Sequence, residues 1–428
     1  MQYVEVNLPY DRGTVTARIK AENVAAILES KAKDFHTEYA EGAVVENSLQ
    51  NPIGSCQLEE LVRGKRKIVI ISSDHTRPVP SKIIMPILLQ HIRKAEPAAD
   101  ITILVATGFH RETTKEELID KYGEKIVKEE KIVVHKATID KDMTEIGILP
   151  SGAPCAIHHL AVEADLLMAE GFIESHFFAG FSGGRKSVLP GIASYKTIME
   201  NHCAGFIASD TCVTGNLHHN RIHEDMVFAA KKAGLAFIVN VVLDENKKII
   251  ASFAGDVEKA HAEGCDFVKK LSAVPAVYGD IAISTNGGYP LDQNLYQAVK
   301  GMTAAEAVTH EGGVIIMAAA CADGHGGEGF YHDLASAESP QQFLDNVLKR
   351  SARETVPDQW TTQILARILS HRHVILVSDK IDPEIVTGMH MELAKNMDEA
   401  LARAYALKGD AARVVIIPDG LGIIVEKN

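Results

Sequence analysis

The chain has 428 residues, 46% of them hydrophobic and 24% charged, which is the composition of an ordinary globular protein with enough chain for two domains. The formal net charge of −13, without any basic stripe, argues against a nucleic-acid partner. No run of the sequence approaches the ~20 apolar residues of a membrane span, and the first residues lack the basic and apolar regions of a secretion signal. We therefore expect neither a nucleic-acid partner nor a membrane partner.

The cysteines point to a reducing compartment. There are six of them, scattered along the chain, and no two form a C-x-x-C pair. In such a compartment cysteines serve mainly as small buried apolar residues. The sequence therefore predicts a cytoplasmic location.

Short runs of aliphatic and β-branched residues recur along the chain and predict buried strands. In chain order these runs are 67–72, 101–107, 131–135, 165–169, 237–243, 281–284, 313–317, 374–377 and 414–417. Helical patterns, such as the one at 80–93, lie between them. Continuous apolar strands that alternate with helices are typical of largely parallel sheets flanked by helices. The predicted fold class is α/β.

The chain is expected to form two α/β domains. A boundary is predicted near 271–275, after a helix-like segment and before a new strand, which gives domains of residues 1–272 and 273–410. The last strand, at 414–417, is expected to return to the first domain, so that residues 411–428 complete it. This last expectation rests on the family resemblance described below and not on composition.

Polar motifs follow several predicted strands, at the edge where parallel sheets bind ligands. Residues 72–78, which include Asp74 and Arg77, follow the first clear strand. His110 follows the second strand and His176 follows the fourth. Because these loops leave the carboxyl ends of their strands, we expect their side chains to converge on one cleft.

Arg77 is a candidate for binding an anion. It lies between Thr76 and Pro78, and the proline biases its backbone away from helix. A fixed guanidinium group binds a carboxylate or a phosphate through two parallel hydrogen bonds. A local ion pair with Asp74 is the alternative.

His110 and His176 are candidates for acid–base chemistry. With an ordinary pKa near ~6.5, a histidine gains or loses a proton close to neutrality. A single histidine is more often a hydrogen-bonded structural residue. A reaction that delivers hydrogen to either face of a planar intermediate, however, needs one such group on each side.

A glycine-rich segment at 180–187 carries Lys186. It matches the phosphate-binding pattern Gly-x-x-x-x-Gly-Lys-Ser/Thr, except that Arg185 stands where the glycine before the lysine belongs. That glycine lets the backbone approach a phosphate closely, so its replacement disfavours a nucleoside triphosphate site. A nucleotide-binding regulatory protein nevertheless stays open as an alternative of another class.

Two sets of histidines are candidates for binding a metal. His202 has no second histidine or cysteine at the spacing of a structural zinc site, so most other donors to a metal there would have to come from a cofactor. His218, His219 and His223 are the alternative set, which would fit a zinc hydrolase. A solvated cluster at the start of a helix is the commoner explanation for such a group.

Taken together, these motifs resemble the nickel-dependent lactate racemase family. The residues that carry the resemblance are 73–78, 107–111, 176–187, His202 and 296–300. Several long motifs in the same order are more specific than any one of them, and the length and layout of the chain extend the resemblance over its whole length.

The resemblance implies a nickel-pincer nucleotide as cofactor. This group is a pyridinium-3-thioamide-5-thiocarboxylic acid mononucleotide, and the family joins it through the thioamide to the lysine that matches Lys186. Two sulfurs, a ring carbon and the histidine matching His202 hold the nickel, a donor set that suits Ni(II). Asp74 and Ser182 would contact the cofactor. Other proteins must make it, so cofactor-biosynthesis proteins are implied partners.

The resemblance also implies racemisation of a 2-hydroxy acid by proton-coupled hydride transfer. His110 or His176, depending on the enantiomer, removes the hydroxyl proton while the α-hydrogen leaves as hydride. The product of that step is a planar 2-keto acid, to which hydride returns on either face. This route avoids a carbanion beside a carboxylate, because the cofactor carries the difficult step.

The same resemblance implies how the substrate is bound. Arg77 and Lys300 would hold its carboxylate, while Tyr296, Gln297 and Trp360 would line the pocket in a cleft between the two domains. Lactate is the leading substrate. A larger 2-hydroxy acid, such as malate, an aromatic 2-hydroxy acid or a sugar acid, is the alternative, because one added methylene changes binding by only ~1–3 kcal/mol.

Overall fold

The structure of this chain is a computed structural model that describes residues 2–426. It divides into two compact units. The central unit comprises Ala32–His202 and Ser209–Leu271. The terminal unit comprises the chain up to Lys31, the segment Cys203–Ala208 and the chain from Ser272 onward.

The strands and helices are numbered in chain order. The strands are β1 (Tyr3–Tyr10), β2 (Gly13–Lys20), β3 (Val24–Ile27), β4 (Lys67–Ser73), β5 (Asp100–Ala106), β6 (Lys131–Val134), β7 (Met143–Ile148), β8 (Pro154–His158), β9 (Leu166–Phe172), β10 (Ser175–His176), β11 (Gly180–Phe181), β12 (Leu235–Leu243), β13 (Ile249–Gly255), β14 (Ala273–Pro275), β15 (Gly279–Thr285), β16 (Thr309–Ala318), β17 (His373–Val377), β18 (Glu392–Ala394), β19 (Val414–Ile417) and β20 (Ile424–Glu426). The helices are α1 (Glu41–Gln50), α2 (Leu58–Val62), α3 (Ser81–Ala95), α4 (Lys115–Tyr122), α5 (Glu124–Glu129), α6 (His159–Val162), α7 (Tyr195–Asn201), α8 (Ala204–Ile207), α9 (Arg221–Ala233), α10 (Lys259–Ser272), α11 (Leu295–Glu306), α12 (Glu328–Ala335), α13 (Pro340–Val347), α14 (Gln359–His371), α15 (Pro383–Gly388) and α16 (Met397–Lys408). Short 3-10 turns occur at Ala21–Asn23, Lys31–Asp34, Asp140–Asp142, Gly184–Ser187 and Ala352–Glu354.

The central unit is built on a six-stranded sheet in the order β13-β12-β9-β4-β5-β6. All neighbouring strands are parallel except the pair of β12 and β13. The inner strands β4, β5 and β9 are buried along nearly their whole length, as expected where helices cover both faces of a sheet. Apolar residues of these strands and of α1, α2 and α3 form one continuous core.

The terminal unit has a second six-stranded sheet in the order β18-β17-β16-β15-β19-β3, and every pair in it is parallel. Its core joins the apolar faces of the hairpin β1–β2 and of α16 to the sheet. The predicted α/β class with largely parallel, helix-flanked sheets is therefore confirmed. All nine strands expected from the sequence are present, with ends that differ by a few residues.

The expectation that the last strand completes the first domain is wrong. β19 pairs with β15 on one side and with β3 on the other, so it lies inside the sheet of the terminal unit. β3 itself belongs to the first residues of the chain, which the sequence had placed in the first domain. All four residues of β19 are buried, and such a strand fits the interior of any parallel sheet. Its composition therefore cannot select the sheet that it joins.

Within the described part of the chain, none of the helices combines the length and the apolar character that crossing a lipid bilayer requires.

Candidate active site

A histidine and a carboxylate meet at the carboxyl ends of two neighbouring strands. β4 and β5 pair in parallel with Ser73 opposite Ala106, so the loops that follow them leave the sheet side by side. Nδ1 of His110 lies 2.7 Å from Oδ2 of Asp74. An imidazole that donates its Nδ1 proton to a carboxylate keeps its lone pair on Nε2. His110 is thereby oriented to take up a proton at Nε2.

The Asp74 carboxylate is held in its charged form. It is 1% exposed, and burial by itself would raise its pKa. Hydrogen bonds from His110 and from the hydroxyl of Thr76, at 2.7 Å, outweigh burial, and the pKa of Asp74 lies below its usual value. The charged carboxylate accepts the Nδ1 proton of His110 and fixes the orientation of its ring.

Arg77 lies in the same loop. Its Nη1 donates to the hydroxyl of Thr76 at 3.3 Å, and the side chain is half-buried. Among the residues that the structure describes, Arg77 forms no ion pair with Asp74, the local alternative that its position in the sequence had left open. Its role in binding a substrate carboxylate stays a prediction.

The glycine-rich loop brings the predicted lysine and the second predicted base together. After β9, the two short strands β10 and β11 form a small hairpin, and the 3-10 turn Gly184–Ser187 follows. Nζ of Lys186 lies 3.3 Å from Nε2 of His176. The backbone N–H of Ala179 points to Nδ1 of the same histidine at 3.3 Å. Because this N–H donates to Nδ1, a neutral His176 carries its own proton on Nε2, the nitrogen that faces Nζ of Lys186.

Two glycines make this loop possible. Gly183 has φ +75° and Gly184 has φ +51°, in the left-handed region that side chains disfavour. A Cβ atom at Gly184 would lie 2.7 Å from the ring of His261. The side chain of Asn240 accepts a hydrogen bond from the N–H of Gly184 at 2.7 Å and fixes the turn. The backbone before Lys186 is thus held against the sheet.

His202 is buried in a form that suits a metal ligand. It follows α7, whose N-terminus is capped by the hydroxyl of Ser194. Nδ1 of His202 lies 3.0 Å from the carbonyl oxygen of Ile198, and because a carbonyl only accepts, the proton is on Nδ1 and the lone pair is on Nε2. Burial, and then the positive charge of Lys186, lowers the pKa of His202 to about 3. The imidazole is therefore neutral at ordinary pH.

Phe178 is a shared neighbour that sequence reasoning assigned no role. Its ring is buried and stands edge-on to His176 at 4.5 Å and to His202 at 5.3 Å between ring centroids. Nζ of Lys186 lies 5.8 Å from the same ring centroid. The aromatic residue in the middle of the motif at 176–187 was the available signal.

Ser182 closes the loop. Its hydroxyl accepts the N–H of Glu174 at 2.9 Å and donates to the carbonyl oxygen of Phe172 at 3.1 Å. These bonds tie the loop to the end of β9. The predicted contact of Ser182 with a cofactor stays a prediction.

A buried carboxylate behind the site was also missed. Glu170 is fully buried in β9 and accepts hydrogen bonds from the hydroxyls of Ser72 and Ser81, each at 2.5 Å. The hydroxyl of Tyr122 donates to Ser72 at 2.7 Å. Burial raises the pKa of Glu170 above its usual value. The signal in the sequence was a single glutamate inside an otherwise apolar strand.

The remaining predicted residues lie in the terminal unit. Tyr296 and Lys300 are four residues apart on α11, with Gln297 between them, so the three share one side of the helix. Nε1 of Trp360, on α14, donates to the hydroxyl of Tyr296 at 3.0 Å. Burial, with the nearby charge of Asp358, raises the pKa of Tyr296 to about 12, so its hydroxyl stays protonated.

The sequence-predicted residues thus form three groups. Asp74, Thr76, Arg77 and His110 form one, and His176, Lys186 and His202 form a second around Phe178, both within the central unit. Tyr296, Gln297, Lys300 and Trp360 form the third, within the terminal unit. The expected cleft between the two domains stays a prediction.

The structure weakens both alternatives of other classes. A 3-10 turn of four residues contains Lys186, where a nucleoside triphosphate site would need the N-terminus of a long helix. Across residues 2–426, no three histidine, cysteine, aspartate or glutamate side chains are grouped as metal donors, and this holds for His218, His219 and His223.

Comparison with known proteins matches both the N-terminal and the C-terminal part of the chain to lactate racemase. The model of the lactate racemase N-terminal domain matches residues 10–215, and that of the C-terminal domain matches residues 274–425. The chain is 65% identical to a lactate racemase of Lactiplantibacillus plantarum over 423 residues, which are 99% of this chain and 100% of the relative. It is 52% identical to a lactate racemase of Thermoanaerobacterium thermosaccharolyticum over 422 residues, 99% of each chain.

Solved structures agree with the fold. The lactate racemase apoprotein from Thermoanaerobacterium thermosaccharolyticum superposes with a TM-score of 0.96 at 51% identity, covering 99% of this chain and 100% of that one. A protein from Thermotoga maritima gives a TM-score of 0.68 at 18% identity, over 92% of this chain and 100% of that one, and shows the fold alone.

A fold and a sequence shared over the full length at these identities place the molecule among the racemases, a class of isomerase. The chain belongs to the lactate racemase family, whose two domain models together cover most of it.

Proposed function

We propose that this chain racemises lactate with a nickel-pincer nucleotide held by Lys186 and His202. The observation that carries the proposal is the state of His202, which is buried and neutral with its Nδ1 proton committed to a backbone carbonyl. Two lactate racemases match this chain over their full lengths, at 65% and 52% identity, which supports lactate as the substrate. The cytoplasmic location expected from the sequence is part of the same proposal.

The donor set fits a cofactor-borne metal. A neutral imidazole with its lone pair on Nε2 is a good ligand for nickel. No group of three protein donors exists in the described chain, so the protein alone does not complete a coordination sphere at His202. The sulfur and carbon donors of the pincer nucleotide would supply the missing ligands.

Lys186 would carry the cofactor. A lysine forms a thioamide only after its amine has lost a proton, and Nζ of Lys186 lies 3.3 Å from Nε2 of the neighbouring His176. The loop that presents the lysine is fixed by Gly183, Gly184 and Ser182 rather than by a flexible linker. Asp74 orients His110 through their hydrogen bond. We also propose that Asp74 contacts the cofactor.

When bound, the cofactor would accept and return the substrate's α-hydrogen as hydride. His110 removes the hydroxyl proton of one enantiomer at Nε2, and Asp74 stabilises the positive charge that the imidazole gains. His176 is the base for the other enantiomer. Because each histidine gives the proton back on its own side, the pair can make either hand of the product.

The substrate carboxylate would be held by guanidinium and ammonium groups. Arg77 provides the first and Lys300 the second, while Tyr296, Gln297 and Trp360 line the pocket. The hydrogen bond from Trp360 to Tyr296 fixes these two aromatic side chains against each other, which suits a pocket for a small acid. Excluding water there would protect the keto acid intermediate.

Racemisation of lactate labelled with deuterium at C2 tests the reaction. We expect protein made together with the cofactor-biosynthesis proteins to convert either enantiomer into the racemate while most of the deuterium stays on C2. Chiral chromatography with mass spectrometry measures both quantities. Deuterium that exchanges with solvent as fast as the enantiomers interconvert would mean a carbanion route and would refute the hydride mechanism.

The same preparation tests the substrate. Racemisation of malate, an aromatic 2-hydroxy acid or a sugar acid with a higher kcat/KM than lactate would overturn the choice of lactate, while leaving the mechanism intact.

A further inference from the structure

A cavity of about 180 Å³ lies in the central unit, beside the loop that carries Lys186. The basic side chains that line it are Arg185, His223 and His261. At roughly 30 Å³ per water molecule, this volume has room for about six waters or for one small organic molecule. The lactate racemase chemistry proposed above gives these three side chains no role.

The charge of Arg185 is not balanced by any acid. The side chain is 2% exposed, and its Nη2 donates to the carbonyl oxygen of Ala179 at 2.8 Å. Nη1 lies 3.0 Å from Nε2 of His261 and 3.4 Å from the carbonyl oxygens of Ser182 and Gly183, which are neutral groups. In residues 2–426, no carboxylate forms an ion pair with this guanidinium, and burial lowers its pKa to about 10. An isolated buried charge is costly unless a counter-ion joins it.

Two buried donor positions at the same cavity have no hydrogen-bond partner. They are Nε of Arg185 and Nδ1 of His223. Buried polar atoms without a partner are rare in folded proteins, and a bound ion is one of the few explanations. Both atoms are closed to a water-sized sphere in this structure, so an anion would reach them only after a small shift of the guanidinium and of the ring, with His223 in the tautomer that carries its proton on Nδ1.

The walls and the mouth of the cavity define the kind of anion. Leu217, Val227 and Val257 give it an apolar side that suits a short alkyl chain. Glu258 also lines it, with its carboxylate 2.8 Å from Nζ of Lys231. An acidic group at this position disfavours a doubly charged ligand. We propose that this cavity binds the carboxylate of a short aliphatic monoacid, at a site separate from the one that contains His110 and Lys186.

Binding there would stiffen the loop that carries Lys186. Arg185 is the residue immediately before Lys186, and its guanidinium lies within hydrogen-bond reach of the carbonyls of Ala179 and Ser182, which flank β11 just before the turn. His261 adds a second tie, since its Nε2 lies 2.8 Å from the carbonyl oxygen of Ser182. An anion that neutralises Arg185 would make this arrangement more stable, because a ligand that binds the folded state alone stabilises it.

Propionate is the probe for this site, since it has no hydroxyl group and cannot be racemised. The titration uses the full chain carrying Arg77→Ala, which removes one proposed contact of the substrate carboxylate. We expect calorimetry to find propionate bound at a ratio of one per chain, and Val227→Phe, which fills the cavity, to weaken binding by about tenfold or more. Glu258→Gln should tighten it. Val162→Phe, an exposed valine that does not line the cavity, should change nothing.

The rim variant Ala262→Leu repeats the blocking test in case Val227→Phe does not fold, because Ala262 is exposed. Binding that both blocking variants leave intact would place propionate elsewhere and refute the proposal. No measurable binding would refute it as well and would leave water as the content of the cavity. Inorganic phosphate that displaces propionate at a lower concentration would show that the site is not one for monocarboxylates.

Discussion

At the scale of single residues, the hydrogen bond between Asp74 and His110 decides which imidazole nitrogen can act as a base. Asp74→Asn tests this role. An asparagine amide can donate to Nδ1, which would move the proton of His110 to Nε2 and leave no lone pair facing the substrate. We expect kcat for lactate racemisation to fall by about 100-fold, with a small change in KM.

The matched control for this variant is Asp120→Asn, since Asp120 has a side chain that is 90% exposed and pairs only with Lys82 in the described structure. That control should keep full activity. Steady-state kinetics with chiral product analysis measures both variants. An Asp74→Asn protein with unchanged kcat would mean that the carboxylate does not orient the base.

The roles of Lys186 and His202 can be tested separately and without an activity assay. Lys186→Ala removes the amine, so the chain should no longer gain the mass of the cofactor. His202→Ala removes the buried imidazole while leaving the amine in place, so nickel retention should fall even where the mass increase persists. Intact-mass spectrometry and metal analysis of each purified variant check these outcomes. Nickel retained fully by His202→Ala would remove this histidine from the coordination sphere.

At the scale of elements, the loop before Lys186 needs a glycine at position 184. The backbone there has a positive φ, and the ring of His261 leaves no room for a side chain. Gly184→Ala places a Cβ 2.7 Å from the ring of His261, at φ +51°. Gly234→Ala is the matched control, because its φ is +73° but nothing lies within 4 Å of the added atom. We expect about 1 kcal/mol of lost stability in the control and about 1–3 kcal/mol more in Gly184→Ala. Urea denaturation measures both, and equal losses would show that the contact with His261 is unimportant.

The sequence predicted the elements that present these residues, because buried parallel strands are visible as apolar runs. The nine predicted strands are all observed, including β4, β5 and β9 that carry the central groups. The hairpin β1–β2 and the pair β7–β8 were not predicted, since their residues are mostly exposed or alternate irregularly. Both pairs are local hairpins, joined by residues 11–12 and 149–153, and their strands lack the continuous apolar runs by which the buried strands were predicted.

The same limit applies to the site. Motifs after strands identified His110, His176 and Lys186, because residue type and strand-exit position are both written in the sequence. The bond between Asp74 and His110 was not predicted, because it depends on the parallel register of β4 with β5. Phe178 was not predicted for a related reason: a ring that packs between other side chains leaves no distinctive spacing in the sequence.

At the scale of the whole molecule, the two units are built from different parts of the chain. The terminal unit takes its edge strand β3 from the first residues and β19 from the last ones. Its sheet therefore contains all six strands only when the segments with β3 and β19 are both present. The central unit is formed by the segments between them and holds the lysine loop and both histidine groups.

The central unit also contains histidines whose pKa is lowered by burial, so acid should destabilise the unit. One is His75, whose pKa lies below its usual value. There are five others. They are His135 and His158, with pKa values lowered to about 4, His202 and His223, with values lowered to about 3, and His261, whose pKa lies well below its usual value. Burial is the largest cause in each case. In the unfolded chain a histidine has a pKa of ~6.5.

Between these values the unfolded state binds more protons than the folded state, so stability falls as the pH falls. The stability that these histidines contribute is present in full above pH ~6.5 and is lost on acidification towards the folded pKa values, by up to ~1.4 kcal/mol per pH unit for each group. His91 acts in the opposite direction, because hydrogen bonds to Glu46 and Glu59 outweigh burial and raise its pKa. Burial also raises the pKa values of Glu170 and Asp225, which likewise favours the folded state on acidification. Six histidines with lowered pKa values outnumber these three opposing groups.

We therefore expect the central unit to lose stability before the terminal unit when the pH is lowered from 7.5 to 5. Circular dichroism follows both units, whereas the fluorescence of Trp360, the single tryptophan, reports on the terminal unit. Urea midpoints from circular dichroism should fall on acidification, and those from fluorescence should fall less. Between pH 7.5 and 8.5, where these histidines do not titrate in either state, the two midpoints should stay where they are. A circular dichroism midpoint that rises at pH 5 would mean that the buried histidines become charged in the folded protein, which is incompatible with a neutral His202 as the metal ligand.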